Sequence, residues 1–299
     1  MKATTAALLV VALTAAGLLG CHPRTDPQKP ANVEAPAGSA SAAPARVLFE
    51  TRSSYSHIKV VDAAGTRTLL FVHDDGTETI QSRIRLSQPD ELEVPYTQVM
   101  MASFLFRPEQ KRCLIVGLGG GSMVRFLNHF FPEVTVDVVE IDPAIVKVAK
   151  DYFGVTSSSR ATIINADGAA YLETTDRIYD VIYLDAFLRV GPETDVTGAP
   201  RSLKTERFLR QVQQRLVPEG LIDVNLHDRA TLPGDIATLR KAFPNVYVYP
   251  VPGTGNVIAM ASLRTARFDA NELAERGRQL DQQRAPKFSF EKTVGFEKK

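Results

Sequence analysis

Hydrophobic positions fall into two regimes along this chain. From Val47 to about Arg85 they alternate or gather in short runs. Tyr55-Ser-His-Ile-Lys-Val-Val alternates, Thr68-Leu-Leu-Phe-Val is continuous, and Asp74-Asp75-Gly76 is a hairpin turn signal. That pattern predicts a small antiparallel sheet. Glu91–Phe106 then reads as helix, with Leu92, Val99, Phe104 and Leu105 among its buried positions, and Arg107-Pro108 stops it.

Beyond Arg112 the regime changes. Short apolar runs that end in glycine or carboxylate alternate with helical stretches, which predicts a doubly wound α/β domain. The strands expected are Cys113–Val116, Val134–Glu140, Ala161–Asn165, Tyr179–Asp185 and Leu221–Asn225. Helices are expected over Met123–Phe131, from Pro143 to about Phe153, and over Ala169–Glu173, Leu203–Leu216 and Ile236–Phe243. The last helix but one is closed by Pro218-Glu-Gly220. Val246–Pro250 and Asn256–Ala261 make a closing antiparallel hairpin around Gly253-Thr-Gly255, and the polar residues from Arg264 onward carry a surface helix over Asn271–Gln282.

The first 20 residues belong to neither regime. Lys2 precedes an apolar stretch, Ala6–Leu18, that is short for a bilayer span and ends in Leu18-Leu19-Gly20-Cys21. This resembles the lipobox of bacterial lipoproteins, which implies lipidation at Cys21 and a lipid anchor in the cell envelope, on the periplasmic or outer face. His22–Arg46, rich in Pro, Ala and Ser, reads as a tether. The expected organisation is therefore a signal segment at 1–20, a linker at 21–46, a small β domain at 47–90, a nucleoside-binding domain at 91–263 and a polar tail at 264–299. A formal net charge of +1 gives nucleic acid no electrostatic footprint, so none is expected as a partner. The second cysteine, Cys113, lies inside an apolar run and reads as a small buried hydrophobe.

Candidate chemistry gathers at the strand ends. Gly117-Leu-Gly119-Gly120-Gly121 follows a strand and precedes a helix, where glycines let backbone approach a ligand and the helix start offers free N–H groups. Glu140 ends the next strand, where a carboxylate can accept both ribose hydroxyls. Asp142 follows it, and Asp167-Gly168 places another acid at the same edge, suited to an adenine amino group. The binding set expected is thus Gly117, Gly119, Gly121, Glu140, Asp142, Asp167 and Gly168, for an S-adenosyl-type ligand rather than a dinucleotide. Asp185 ends the fourth strand and is either a general base at the ligand's reactive end or the cap of the loop that follows. No metal site is expected.

These motifs resemble those of the polyamine aminopropyltransferases, of which spermidine synthase is the best known. The resemblance covers about Ser53 to Ala261. Its core lies in Val139-Glu140-Ile141-Asp142, Asp167-Gly168 and Tyr179-Asp180-Val-Ile-x-x-Asp185; Ser53-x-Tyr55-x-x-Ile58-x-Val60, Tyr96, Leu203-Lys-Thr-Glu-Arg-Phe208 and Pro218-Glu-Gly220-Leu are looser matches. It implies a methyltransferase-like (Rossmann-type) sheet behind a small N-terminal antiparallel β domain. It also implies decarboxylated S-adenosylmethionine, or S-adenosylmethionine, as co-substrate with no tightly bound cofactor. An amine acceptor would meet Asp185 as base, with Tyr55, Tyr96 and Gln98 on the acceptor side. Relatives are commonly dimers or tetramers, so a homodimer is among the assemblies implied. The chain departs from the family at Gly120 and Leu188, where relatives carry aspartates, and at Tyr96-Thr97-Gln98, where they carry Tyr-His-Glu. Two other readings stand beside it: an S-adenosylmethionine-dependent methyltransferase on the same frame, and a non-catalytic nucleoside- or polyamine-binding lipoprotein.

Overall fold

The structure is a computed structural model that describes residues 45–295. The signal segment, Cys21 and nearly all of the expected tether lie outside these residues. Among the described residues no helix is long and apolar enough to cross a membrane.

Four strands form an antiparallel meander: β1 (Arg46–Arg52), β2 (His57–Ala63), β3 (Thr66–Val72) and β4 (Glu78–Arg85), paired in chain order. Arg46, assigned to the tether by its composition, is the first residue of β1. Alternation gives this sheet one inward face, and Ile58, Val60 and Leu69 on it are fully buried. They belong to the same hydrophobic cluster as Cys113, Ile115 and Val136 of the larger sheet.

The larger sheet contains β5 (Arg112–Val116), β6 (Thr135–Glu140), β7 (Ala161–Asn165), β8 (Tyr179–Leu184), β9 (Leu216–His227), β10 (Asn245–Pro250) and β11 (Asn256–Ser262). Their order is β10-β11-β9-β8-β5-β6-β7. β7, β6, β5, β8 and β9 run parallel, and β11 and β10 close the sheet antiparallel. Side chains alternate between two cores: Ile115 and Tyr183 face one, Leu114 and Ile182 the other. Each face is covered by helices, so β8 is buried along its whole length and reads as an unbroken apolar run with one acid, Asp180. That acid accepts from the backbone N–H groups of Lys111 and Arg112 and from Arg107, which fixes the entry to β5. The chain runs outward from β5 through β6 to β7 and then crosses back to β8 on the other side of β5, so the strand order reverses there. The crevice at the carboxyl ends of β5 and β8 is the switch point where open α/β sheets bind ligands.

Further expectations shift, the helix expected over Ile236–Phe243 running Leu232–Ala242. The helix expected over Glu91–Phe106 is two, Pro95–Met100 and Ser103–Phe106, because Pro95 lacks the N–H an interior turn would need and so sets the start. Arg201–Lys204 is a 3-10 turn, and Thr205 caps the helix proper, Glu206–Gln214. Pro218-Glu219-Gly220 does not close that helix. It is a bulge inside β9, where the register with β8 jumps between Tyr179/Leu216 and Val181/Leu221 and Glu219 has φ 60°. The C-terminal helix runs Ala270–Arg284, and its segment is no trailing tail: Leu273, Gly277 and Phe290 are buried. Gly277 is required there, since a Cβ would come within 2.5 Å of Glu291 Cα.

Candidate active site

Two turns build the crevice. Gly117, just past β5, donates its N–H to Val139 O and has φ 99°. A Cβ on it would lie 2.2 Å from the Asp185 carbonyl oxygen, so glycine is what lets the ends of β5 and β8 meet. Gly121, at φ 73°, starts the helix Ser122–Phe130, whose first turn has no side-chain cap. Its N–H end is therefore offered to the crevice. Around these turns lies a cavity of about 580 Å³.

All seven binding residues expected from the sequence line this cavity: Gly117, Gly119, Gly121, Glu140, Asp142, Asp167 and Gly168. Three of the acids are already engaged by backbone. Glu140 Oε2 accepts from Leu118 N and Oε1 from Asp142 N, both at 2.8 Å. Burial raises the Glu140 carboxyl above its ordinary range, and those two amides offset part of the rise. Asp142 caps the helix Pro143–Phe153 through Ala144 N and accepts from Ser53 Oγ at 2.5 Å, which ties the small sheet's first loop to the crevice. Asp167 caps the helix Gly168–Thr174 through Ala170 N. Gly168 is packed so closely that a Cβ would meet Val116 at 2.5 Å.

Asp185 stands beside this group. Tyr96 OH donates to its Oδ2 at 3.0 Å and Asn225 Nδ2 to its Oδ1 at 2.8 Å. Asn256 Nδ2 in turn donates to Asn225 Oδ1 at 2.9 Å. Burial pushes the Asp185 carboxyl up to about 6, against the pull of the Asn225 and Tyr96 bonds. Such a group is ionised at neutral pH and basic enough to accept a proton. Below it in the sheet, Asp223 is fully buried with no hydrogen-bond partner for either oxygen. Burial first, and then the Asp185 charge, push its carboxyl well up, so it is held neutral.

Tyr55 and Tyr96 line the cavity, and Tyr55 O accepts from Arg189 N at 2.8 Å. Gln98 does not line it. Two residues along a helix is more than half a turn, so Gln98 points away from Tyr96 and donates to Leu92 O at 2.7 Å; Thr97 takes the lining position. Cys113 is fully buried, and burial pushes its thiol well up, so it is no nucleophile. Gly120, where the family resemblance implies an aspartate, is crowded, and a side chain there would require Ser82 to shift. A Cβ there would lie 2.8 Å from Ser82 Oγ and 3.0 Å from the Phe153 ring, and Ser82 Oγ is itself bonded to Ser122 Oγ at 2.7 Å.

Sequence reasoning missed Asn225, Asn256, Ser53 and Ser82. Asn225 left a trace as a polar residue near the carboxyl end of an apolar strand, and Ser53 opens the Ser53-x-Tyr55 motif without a role given by it; Asn256 and Ser82 are brought in only by the fold.

Fold and site together define a doubly wound α/β protein whose crevice suits a nucleoside beside a basic carboxylate. The chain belongs to the spermine/spermidine synthase family: the model of the spermine/spermidine synthase domain matches residues 93–255. It is 30% identical over 222 residues to the polyamine aminopropyltransferase of Vibrio vulnificus, covering 73% of this chain and 72% of that one. It is also 33% identical over 177 residues to the human eEF1A lysine and N-terminal methyltransferase, covering 56% of this chain but only 25% of that longer protein. In fold it resembles a spermidine synthase solved in complex with the transition state analogue AdoDATO, at TM-score 0.62, 23% identity and 84% coverage of each chain.

Proposed function

We propose that this protein transfers an aminopropyl group from decarboxylated S-adenosylmethionine to an amine. The observation that carries the reading is Asp185, a carboxylate raised to about 6 and aimed by Tyr96 and Asn225 at the mouth of the glycine loop. Adenosine lies along Gly117–Gly121, with its ribose at Glu140 and its base toward Asp167. The acceptor's nitrogen gives its lone pair to the carbon next to the sulfonium. The C–S bond breaks as the C–N bond forms, sulfur keeps the electron pair as a neutral thioether, and the proton released from nitrogen goes to Asp185. Since the sulfonium is already a good leaving group, orienting a neutral amine supplies much of the rate.

Methyl transfer from S-adenosylmethionine is a second reading. The crowded glycine at position 120 favours it, because the chain has no acid there to hold a decarboxylated donor's ammonium tail, and so does the likeness to the human methyltransferase. Mass spectrometry of the nucleoside product separates the two: methylthioadenosine marks aminopropyl transfer and S-adenosylhomocysteine marks methylation. Calorimetric donor binding with no thioether from either donor overturns both and leaves a binding protein.

We further propose that the protein is lipid-anchored through Cys21 in a bacterial cell envelope. Leu18-Leu19-Gly20-Cys21 supports this. Acyl labelling that survives Cys21→Ser overturns it. A homodimer is the assembly proposed, and light scattering of the mature protein at a single-chain mass overturns that.

A further inference from the structure

The acceptor side of the cavity is short of free acids. Beyond Asp185 its wall is the loop 186–203 together with the segment 94–97. The loop's one buried acid, Asp195, is spent on the protein itself. Its carboxylate accepts from Thr197, Ala199 and Lys204, and Lys204 Nζ bridges to Asp235 at 2.8 Å. Of the acids that do line the cavity, Glu140, Asp142 and Asp167 hold backbone amides, and Asp74 at the mouth stands 3.9 Å from Arg52. Glu193 is exposed at the rim, where Arg189 lines the same cavity as a cation.

What the loop does present is apolar. Leu188 stands three residues past the base, and its backbone is fixed: Leu188 N donates to Gly198 O at 2.9 Å. Gly198 has φ 88°, and a Cβ on it would lie 2.3 Å from Leu188 O, so glycine is what lets the two backbones approach this closely. Val94 and Leu203 continue the apolar wall, and Val190 leaves 46% of its surface exposed at the cavity. A concave, mostly apolar wall of this kind is typical of small-molecule sites.

Resting on the amine-transfer reading above, we propose that the acceptor is a monoamine with an apolar body. Its one nitrogen meets Asp185 and its carbon chain lies along Leu188, Val94 and Leu203. A second ammonium brought against Leu188 would lose its water and find no partner, which disfavours diamines. Nothing in the chemistry of the step changes: one C–N bond forms, one C–S bond breaks, and one proton passes to Asp185.

The test compares n-pentylamine with putrescine, which has the same number of heavy atoms and differs by an ammonium in place of a methyl group. An ω-amino acid of similar length is the third arm. Each is offered to the mature protein with each S-adenosyl donor, and kcat/KM for thioether formation is read. The expected result is a preference for pentylamine of about tenfold or more, of the order set by leaving one charged group unpaired. In Leu188→Asp the ratio should move toward putrescine by a similar factor. Glu193→Gln should leave the ratio unchanged, since the diamine is not held there. Equal or better turnover of putrescine by the unaltered protein overturns the proposal, and the wild-type panel decides this even if Leu188→Asp does not fold. Preference for the amino acid also overturns it and transfers the role to Arg189. Turnover with putrescine alone would leave the amine-transfer reading standing, whereas no thioether with any amine sinks both.

Discussion

The two halves of the cavity are held by different kinds of bonding. On the nucleoside half, each acid accepts from backbone amides at the sheet edge: Glu140 from Leu118 and Asp142, Asp142 from Ala144, and Asp167 from Ala170, with Ser53 Oγ the one distant side chain, on Asp142. On the acceptor half, Asp185 depends on side chains 89 and 40 residues away, and its loop on an ion pair to a helix 31 residues beyond Lys204. Apart from the Ser53 bond, the nucleoside half consequently needs only the parallel sheet and the turns at its strand ends. The acceptor half exists only once the small sheet, β9, β11 and the long loop have packed together. A family can thus keep the first while rewriting the second, which is what the resemblance implies at Leu188 and at Tyr96-Thr97-Gln98. Substitutions should separate the halves.

Asp185→Asn should have the largest effect. Removing a general base costs roughly 10²- to 10⁴-fold in kcat. Donor affinity, measured by calorimetry, should stay near wild type, because that half keeps its own bonds. The substitution should also stabilise the fold. A carboxyl raised to about 6 in the native state binds its proton more tightly there than in the unfolded chain. Wild-type stability therefore falls as pH rises from the ordinary aspartate range through 6, and the variant is spared that loss. The gap in Tm should open between about pH 4 and 6 and stay constant above. A drop in donor affinity equal to the drop in kcat would show that the two halves are not separable.

Next in size is Lys204→Met. It strands Asp195 and Asp235, two mostly buried acids, and breaking such a pair costs roughly 3 kcal/mol in denaturant unfolding. Burial pushes the Asp195 carboxyl up, but Lys204 and Thr197 outweigh it and hold it at about 2. That depressed value means wild type keeps this stabilisation above the ordinary carboxylate range and loses it as pH falls toward 2. The variant should lack it at neutral pH, with the acceptor KM raised and the donor Kd little changed.

Glu140→Gln reverses the comparison. An amide retains one acceptor but turns N–H groups toward Leu118 or Asp142, whose amides need acceptors. Losing a charged hydrogen bond of this kind costs about 1.5–3 kcal/mol. Donor affinity should fall about tenfold to a hundredfold while the pH dependence of the residual rate stays put.

How much of this could be read in the sequence follows the same division. The glycine loop, Glu140 and Asp167 were legible because a strand end, a turn and a helix start are contiguous, and each carries its own residue types. The parallel sheet was legible because buried strands such as Tyr179–Leu184 are continuous apolar runs. Gln98 was placed on the wrong side because a motif match fixes position in the chain, not rotation about a helix that Pro95 starts. Asn225 and Asn256 meet only through the pairing of β9 with β11, which no local pattern encodes. Likewise Phe290 sits in a polar stretch and is buried only because Asp281 accepts from its N–H and from Ser289 Oγ, turning the chain back onto the core.

Asn225→Ala is the smallest and most specific test of the acceptor half. The Asn225 amide lowers the Asp185 carboxyl against the push of burial. Without it the carboxyl titrates at higher pH, so the acidic limb of the kcat profile should move upward, while the rate on the plateau approaches wild type. Tyr96→Phe removes the other donor and should move the limb in the same direction, with an added loss wherever the phenol also positions the amine. Neither change touches a group that holds the nucleoside, so donor binding should be flat across both. A limb that shifts in Asn225→Ala assigns the titration to Asp185. A limb that stays fixed would move it to another group, of which Glu140, also raised by burial, is the one lining the same cavity.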